Sequence, residues 1–129
     1  MTIQVNPNKQ VVEQFWEAMR ANDFRAAGEL LHDDYILDWP QSGERIRGRA
    51  NFVAINEHYP AAGRWQFTIH RMIAEDDEVV TDVTVTDGVT TGRAITFSTV
   101  RDRKILNQTE YWPDPFEAVL WRAQWVERI

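Results

Sequence analysis

The sequence predicts an α+β domain in which helices come first and a curved sheet, mixed or antiparallel, follows them. Apolar side chains recur at helical spacing over residues 7–31, whereas residues 65–112 alternate in the manner of β-strands. Helices followed by a run of consecutive strands are typical of α+β proteins. Because such a sheet twists strongly, we expect it to form a cone that wraps around the N-terminal helices.

Three helices are predicted before the long sheet. Asn6-Pro7 is a typical helix start, Asn22-Asp23 is a second one, and Gly48 precedes the third helix. A final helix is expected over residues 117–128. The apolar residues expected to face the sheet are Val11, Val12, Phe15, Trp16 and Met19, then Phe24, Ala27, Leu30 and Leu31, then Phe52, Ile55 and Tyr59.

A first strand is expected over residues 34–39, followed by a short strand around Ile46. Period-two alternation places Trp39 on one side of the first strand and Asp38 on the other. Four further strands follow up to Trp112. They are predicted to be joined by two-residue turns at Asp76-Asp77, Asp87-Gly88 and Asp102-Arg103.

This register gives two rows of facing residues. Arg71 lies opposite Asp82, Asp82 opposite Arg93, and Arg93 opposite Trp112. The next row is Ile73, Val80, Ile95 and Glu110. One face thereby collects bulky apolar side chains around a few ionisable groups, which is typical of a ligand pocket inside the cone. Its predicted members are Trp65, Phe67, Ile69, Arg71, Ile73, Val80, Asp82, Arg93, Ile95, Phe97, Leu106, Gln108, Glu110 and Trp112.

The opposite face of the sheet is predicted to be lined by smaller side chains. This face is too apolar to stand fully in water, so we expect it to form the interface of a homodimer. Its predicted members are Thr68, His70, Met72, Thr81, Val83, Ala94, Thr96, Ser98, Asn107 and Thr109.

Composition narrows the class of protein. A chain of 129 residues predicts one domain over residues 1–129. The absence of cysteine fits a reducing cytoplasm, and no apolar run approaches the length of a membrane span. A net charge of -6 argues against nucleic-acid partners. The three histidines match no metal-ligand spacing, so we expect neither a metal site nor a cofactor.

Three stretches, LLHDDYILDWPQSGERIRG, RMIAEDDEVVTDVTVTDG and KILNQTEYWPDP, resemble the nuclear transport factor 2-like superfamily. Within it the chain is most similar to the SnoaL-like polyketide cyclase group, over roughly residues 8–125. The resemblance implies a cystatin-like cone. It also implies that Glu110 matches the acid/base residue of the cyclases. Ketosteroid isomerases place their base directly before a proline, where this chain has Trp39, and the nearest carboxylate is Asp38.

Glu110 is the first candidate catalytic residue and Asp38 the second. A desolvated carboxyl can hold a proton near neutral pH and move it during enolisation. The alternative is an acid that Arg93 or Arg71 neutralises inside a packed barrel. Likewise, Arg71, Asp82 and Arg93 form either an anchor for a ligand oxygen or a structural cross-strand network.

The aromatic side chains also allow two interpretations. Trp16, Trp39, Tyr59 and Trp112, together with Gln108, either surround a flat apolar ligand or fill the cone completely. The leading hypothesis is cofactor-independent acid/base chemistry on a small hydrophobic carbonyl compound. The alternatives are a non-catalytic binder of a hydrophobic metabolite and a dimerisation module.

Overall fold

The structure, a computed structural model, describes residues 5–129, so the first four residues of the predicted domain lie outside it. Three helices and six strands precede a single short 3₁₀ helix within these residues. In chain order they are α1 (Pro7–Arg20), α2 (Phe24–Glu29), β1 (Leu31–Trp39), β2 (Glu44–Arg47), α3 (Arg49–His58), β3 (Gln66–Glu75), β4 (Glu78–Thr86), β5 (Thr91–Arg101), β6 (Lys104–Tyr111) and the 3₁₀ helix (Leu120–Trp125).

The six strands form one curved sheet in the order β2-β1-β6-β5-β4-β3. Strand β1 runs parallel to β6, and all other neighbours are antiparallel. The helices cover one face of the sheet, which we call the inner face; the other is the outer face. The predicted α+β class, with a mixed curved sheet, is therefore confirmed.

The predicted helix starts are confirmed by their caps. The side chain of Asn6 accepts hydrogen bonds from the backbone N–H groups of residues 8 and 9, and Asp23 accepts one from residue 26. All five apolar residues predicted to form the buried side of α1 are buried. The expected final helix is wrong, because residues 117–128 contain only the 3₁₀ helix, none of whose residues is buried. No helix in residues 5–129 is long and apolar enough to cross a membrane.

The turn between β3 and β4 is the predicted two-residue turn, and Arg71 pairs with Asp82 as expected. A β-bulge lies between Ile69 and Arg71, so Ile69 pairs with Val83. Because a bulge shifts the alternation by one residue, Ile69 and Arg71 point to opposite faces. Ile69 lies on the inner face and Arg71 on the outer face.

The turn between β4 and β5 is longer than predicted. It comprises four residues, 87–90, and the Asp87 carboxylate closes it by accepting the backbone N–H groups of Val89 (2.9 Å) and Thr90 (2.7 Å). Asp82 consequently pairs with Ile95 and not with Arg93. The predicted register was wrong by two residues, which preserves the face on which each side chain lies.

The turn at Asp102-Arg103 has two residues as predicted, both with positive φ (54° and 62°). A bulge after the pair Val100–Ile105 leaves Leu106 unpaired, and Glu110 then pairs with Thr96 instead of Ile95. A slip of one residue moves every following side chain to the other face. Gln108 and Glu110 therefore lie on the inner face, but with different neighbours from those predicted.

Both predicted faces need correction. The inner face carries the smaller residues because the bulky side chains of α1 fill the space above them. The predicted dimer face is thus largely inside. The residues of the inner face include Met72, Val79, Thr81, Val83, Val85, Ala94, Thr96, Ser98, Gln108 and Glu110. The outer face includes Arg71, Ile73, Val80, Asp82, Arg93, Ile95 and Phe97.

Candidate functional site

Glu110 is a buried carboxylate on the inner face that accepts three side-chain hydrogen bonds. Its Oε1 accepts the indole N–H groups of Trp39 and Trp112, each at 3.0 Å. Its Oε2 accepts the hydroxyl of Thr96 at 2.6 Å. All three donors are neutral, and none of the ion pairs found in residues 5–129 includes Glu110. The predicted neutralisation by Arg71 or Arg93 is therefore not observed.

Burial raises the pKa of the Glu110 carboxyl above its ordinary value, and the three hydrogen bonds limit the rise. The pKa of the nearby Tyr35 phenol is raised as well, first by its burial and then by the charge of Glu110. The site is therefore one in which a carboxylate is favoured by hydrogen bonds but has no counter-ion.

A second polar chain lies beside Glu110 on the inner face. The hydroxyl of Tyr35 donates to the Gln108 Oε1 at 2.5 Å, and the Gln108 amide donates to the hydroxyl of Ser98 at 3.1 Å. All three side chains are buried. This chain fixes the orientation of Gln108, which the sequence had placed in the site.

One row of neighbouring residues crosses four strands of the inner face. Met72 pairs with Thr81, Thr81 with Thr96, and Thr96 with Glu110. Thr81 is fully buried, yet its hydroxyl has no hydrogen-bond partner. The indole N–H of the buried Trp16, on α1 above the sheet, also has none. Two unpaired polar atoms in an interior are unusual and often mark a ligand or water site.

Asp38 lies on the outer side of β1, as the alternation predicted, and pairs with Arg45 on β2. The Arg45 guanidinium donates two hydrogen bonds to it, at 2.6 and 3.0 Å, and these hold the pKa of Asp38 below its ordinary value. The structure therefore does not bring Asp38 to Glu110.

Arg71, Asp82 and Arg93 lie together on the outer face. Arg71 donates to the Asp82 carboxylate at 2.9 and 3.2 Å, and Arg93 donates to both of its oxygens. First Arg93 and then Arg71 hold the pKa of Asp82 well below its usual range. The predicted contacts are present, but the expectation that they share a face with Glu110 is wrong. The bulge between β5 and β6 makes Glu110 pair with Thr96 on the inner face and not with Ile95 on the outer face.

The aromatic residues separate into two groups. Trp39 and Trp112 contact Glu110, and Trp16 packs between Phe15 and Phe67. Tyr59 is 54% exposed and packs edge-on against Trp65 with their ring centroids 6.0 Å apart. The structure thus brings Trp39, Trp112 and Gln108 to the neighbourhood of Glu110 but gives Tyr59 no contact with it.

Four residues of this site were missed by the sequence analysis: Tyr35, Thr81, Thr96 and Ser98. The last three were assigned to the opposite face by the uncorrected register. The size of the strand side chains could have identified the inner face, because strands that pack beneath a helix with bulky side chains require small residues.

The two best-defined depressions in residues 5–129 lie on the surface. The first, of about 480 Å³, is a groove between α1 and β3, and the second lies beside the turn at residues 76–77. Glu110 lines neither of them. No group of three potential metal ligands is found in the same residues.

The sequence and the fold of the chain match those of known proteins. Residues 12–107 match the family described as the SnoaL-like domain. A solved candidate ketosteroid isomerase from Kribbella flavida has a TM-score of 0.88 and 28% identity, covering 95% of this chain and 90% of that one. A protein of unknown function from Burkholderia xenovorans, described as NTF-2 like, has a TM-score of 0.79 and 35% identity, covering 95% of both chains.

More distant structures show the fold alone. A Mycobacterium tuberculosis protein solved with estradiol-17beta-hemisuccinate has a TM-score of 0.69 and 21% identity, covering 84% of this chain and 95% of that one. No curated protein matches the chain significantly. The match of residues 12–107 covers well over half of the chain, and the resemblance predicted from the sequence is confirmed. The chain belongs to the SnoaL-like domain family, within the nuclear transport factor 2-like superfamily.

Proposed function

We propose that this protein binds a small, largely apolar carbonyl compound at its inner face and moves a proton on it, with Glu110 as the proton carrier. The observation that carries the proposal is the buried Glu110 carboxylate, which has three neutral donors and no cation. Burying a charge without a counter-ion costs roughly several kcal/mol, even when hydrogen bonds compensate part of the cost. A residue that serves packing alone has no reason to carry this cost.

The proton transfer follows from the raised pKa of Glu110. A carboxylate whose pKa is closer to neutral pH is a better general base than an exposed glutamate, because its conjugate acid is weaker. The carboxylate would remove a proton from the carbon next to the carbonyl, and the electron pair would move to the carbonyl oxygen. The enolate would then take a proton back at carbon, which regenerates the carboxylate.

The enolate oxygen needs hydrogen-bond donors. The hydroxyl of Thr81 and the indole N–H of Trp16 are both buried and both unpaired. Thr81 lies two strands from Glu110, about 10 Å away, with Thr96 between them, so one small molecule could contact both Thr81 and Glu110. Donors arranged in a dry site stabilise developing negative charge far better than water does.

The experiment measures hydrogen–deuterium exchange at the enolisable carbons of 2-tetralone in D₂O, by NMR. Wild-type protein should accelerate the exchange, and Glu110→Gln should reduce that acceleration by at least about a hundredfold. Asp38→Asn is the matched control, because it also replaces one carboxylate but on the outer side, and it should retain the activity. Equal losses in both variants, or no acceleration at all, would contradict the catalytic proposal.

The second candidate function is binding without turnover. The satisfied hydrogen bonds of Glu110 favour it, since Trp39 and Trp112 already occupy the carboxylate oxygens. The Mycobacterium tuberculosis protein of the same fold was solved with estradiol-17beta-hemisuccinate, a steroid derivative. Quenching of tryptophan fluorescence by 2-tetralone, with no exchange in wild-type protein, would identify a binder.

We further propose a homodimer formed through the outer face. The outer face exposes apolar side chains that one copy leaves uncovered: Ile73 is 64% exposed and Phe97 is 42% exposed. A stable interface buries roughly 1,200–2,000 Å² in total. Sedimentation velocity at micromolar concentration should show a dimer, and Phe97→Asp should shift it to a monomer. A wild-type monomer would contradict this proposal.

The cytoplasm is the compartment that we propose for this protein. The support is the composition, since a chain without cysteine needs no oxidising compartment. Fractionation of cells that produce the full chain should recover it with cytoplasmic markers, and recovery elsewhere would contradict this.

A further inference from the structure

The segment that follows β6, residues 113–129, carries seven of the thirteen exposed large hydrophobic residues found in residues 5–129. We call it the arm. Pro113 and Pro115 at its start prevent it from continuing the sheet. Leu120 is 89% exposed, Trp121 is 73% exposed and Trp125 is 71% exposed. Large apolar side chains do not remain in water in such a cluster unless a partner covers them.

We propose that the arm of each copy packs across the outer face of a second copy, and this inference rests on the homodimer proposed above. In the structure the arm does not fold back onto its own body, since Arg122 is half-buried and all its other residues are exposed. The outer face is a second surface with exposed large apolar side chains, namely Ile73, Phe97 and Tyr111. One arm and one face from each copy would form a reciprocal, two-fold interface.

The arm is long enough for this role. Its extended and 3₁₀ portions together reach roughly 30 Å from the end of β6. A sheet of six strands is about 24 Å wide, at about 4.8 Å per strand spacing. An arm that leaves the sheet at β6, next to the outer-face residue Tyr111, can therefore cross most of a neighbouring outer face.

The area involved is that of a stable interface. The exposed rings of Phe116, Trp121 and Trp125 would bury about 450 Å² from one arm. Two arms and the surfaces they cover would together bury about 1,800 Å², which lies within the range of stable interfaces. Face-to-face packing of the sheets is not needed to reach this value.

Charge and comparison agree with this arrangement. The first part of the arm carries Asp114 and Glu117, whereas the two arginines paired with Asp82 leave one net positive charge on the outer face. The Kribbella and Burkholderia structures each match 95% of this chain, which leaves about 6 of the 129 residues unmatched. Because the arm has 17 residues, at least part of it is shared with those proteins.

The first experiment measures the dimer dissociation constant by sedimentation equilibrium. Leu120→Asp/Trp121→Asp should weaken the dimer at least about a hundredfold, because it removes the centre of the apolar cluster. Ala123→Asp/Gln124→Asp is the matched control, since it adds the same two charges to the same 3₁₀ helix without removing a large apolar side chain. It should weaken the dimer far less.

The second experiment asks which copy the arm contacts. The chain has no cysteine, so a Gln124→Cys/Thr109→Cys variant carries one thiol on the arm and one on the outer face. Equal amounts of ¹⁴N- and ¹⁵N-labelled variant are unfolded together in urea, refolded so that half of the dimers carry both labels, and treated with a short bismaleimide. Cross-linked peptides that join a ¹⁴N arm to a ¹⁵N face support exchange between copies. Pairs with one isotope only would show that the arm covers its own chain and would overturn the inference.

The outcomes separate this inference from the proposed homodimer. If Phe97→Asp breaks the dimer and the arm variant does not, the outer-face dimer stands and the arm inference fails. If wild-type protein is a monomer, both fail. If the arm variant alone fails to fold, as judged by circular dichroism, the isotope cross-links decide.

Discussion

Glu110 shows how a single buried residue links burial to proton affinity. Its two oxygens receive three hydrogen bonds, which favour the carboxylate, while burial favours the neutral acid. The balance leaves its pKa raised, so the folded chain binds a proton more tightly at this residue than the unfolded chain does. Stability must therefore depend on pH through this residue.

The first prediction concerns Glu110→Gln. The contribution of Glu110 is fully favourable below its ordinary pKa of 4.5 and is lost as the pH rises through the raised value. The variant has no such loss, and Thr96 can rotate its hydroxyl to accept from the new amide. We expect the free energy of unfolding of the variant to rise relative to that of wild-type protein above pH 4.5. The rise is about 1.4 kcal/mol for each tenfold difference in proton affinity between the folded and unfolded wild-type chain.

Urea unfolding between pH 4 and pH 9 measures this difference. Glu13→Gln, the same substitution at an exposed position, is the control with which the difference is compared. A Glu110→Gln variant whose difference from wild type changes with pH no more than that of the control would contradict the raised pKa.

At the scale of elements, the helices and turns were predictable from local chemistry, but the register was not. Asn6 and Asp23 are caps because their side chains bond to nearby backbone N–H groups, which is a local property. The bulge at Leu106 has no such local signal. Each face of β4 and β5 mixes apolar side chains with polar ones, so the period-two alternation alone did not show which face was buried.

The site was predictable only as far as the register permitted. Glu110, Trp112 and Gln108 follow the bulge together, so their shared face was predicted correctly. Arg71 and Arg93 were placed with them wrongly, and Thr81 and Thr96 were excluded. Long-range pairing, and not residue type, decided each of these cases.

The second prediction concerns a glycine. Gly92 on β5 has no side chain, and the Trp112 ring packs directly against its backbone. A methyl group at this position would lie 3.2 Å from two ring carbons of Trp112. Gly92→Ala should push the indole away from Glu110 and weaken a hydrogen bond that lowers the pKa of this carboxyl. The net change in stability is small, about 1 kcal/mol, because overpacking opposes the gain from removing glycine.

The indole ¹H–¹⁵N resonances report on this change directly. We expect the Trp112 signal to shift in Gly92→Ala while most of the other five indole signals stay in place. Trp112→Phe is the control: it removes the signal and the bond but preserves most of the packing. An unchanged Trp112 resonance in Gly92→Ala would contradict the predicted contact.

The third prediction concerns the Asp82 network, which ties β3, β4 and β5 together on the outer face. Its lowered pKa means that its contribution is fully present above pH 3.8 and is lost as the pH falls. Asp82→Asn should lower the free energy of unfolding at pH 7 by about 1–2 kcal/mol. The difference from wild type should shrink below pH 3.8, as measured by urea unfolding. Asp77→Asn, the same substitution in an exposed turn, is the control.

On the scale of the whole molecule, the two faces of the sheet carry different kinds of polar contact. The inner face carries a carboxylate with neutral partners under the helices, whereas the outer face carries charges that are paired with one another. The bulge between β5 and β6 produces this division, because it makes Glu110 pair with Thr96 on the inner face and not with Ile95 on the outer face. Association through the outer face would therefore leave the inner site of each copy unaltered.

The last prediction tests this separation through the thermal stability of the whole assembly. If the folded protein is a dimer, its melting temperature must rise with protein concentration, since association stabilises only the folded state. A hundredfold increase contributes about 2.7 kcal/mol per dimer, which raises the melting temperature by about 5 °C. Phe97→Asp should melt at a temperature that does not depend on concentration. Glu110→Gln, which changes only the inner face, should keep the full dependence. A concentration-dependent melting temperature in Phe97→Asp would show that association uses a different surface.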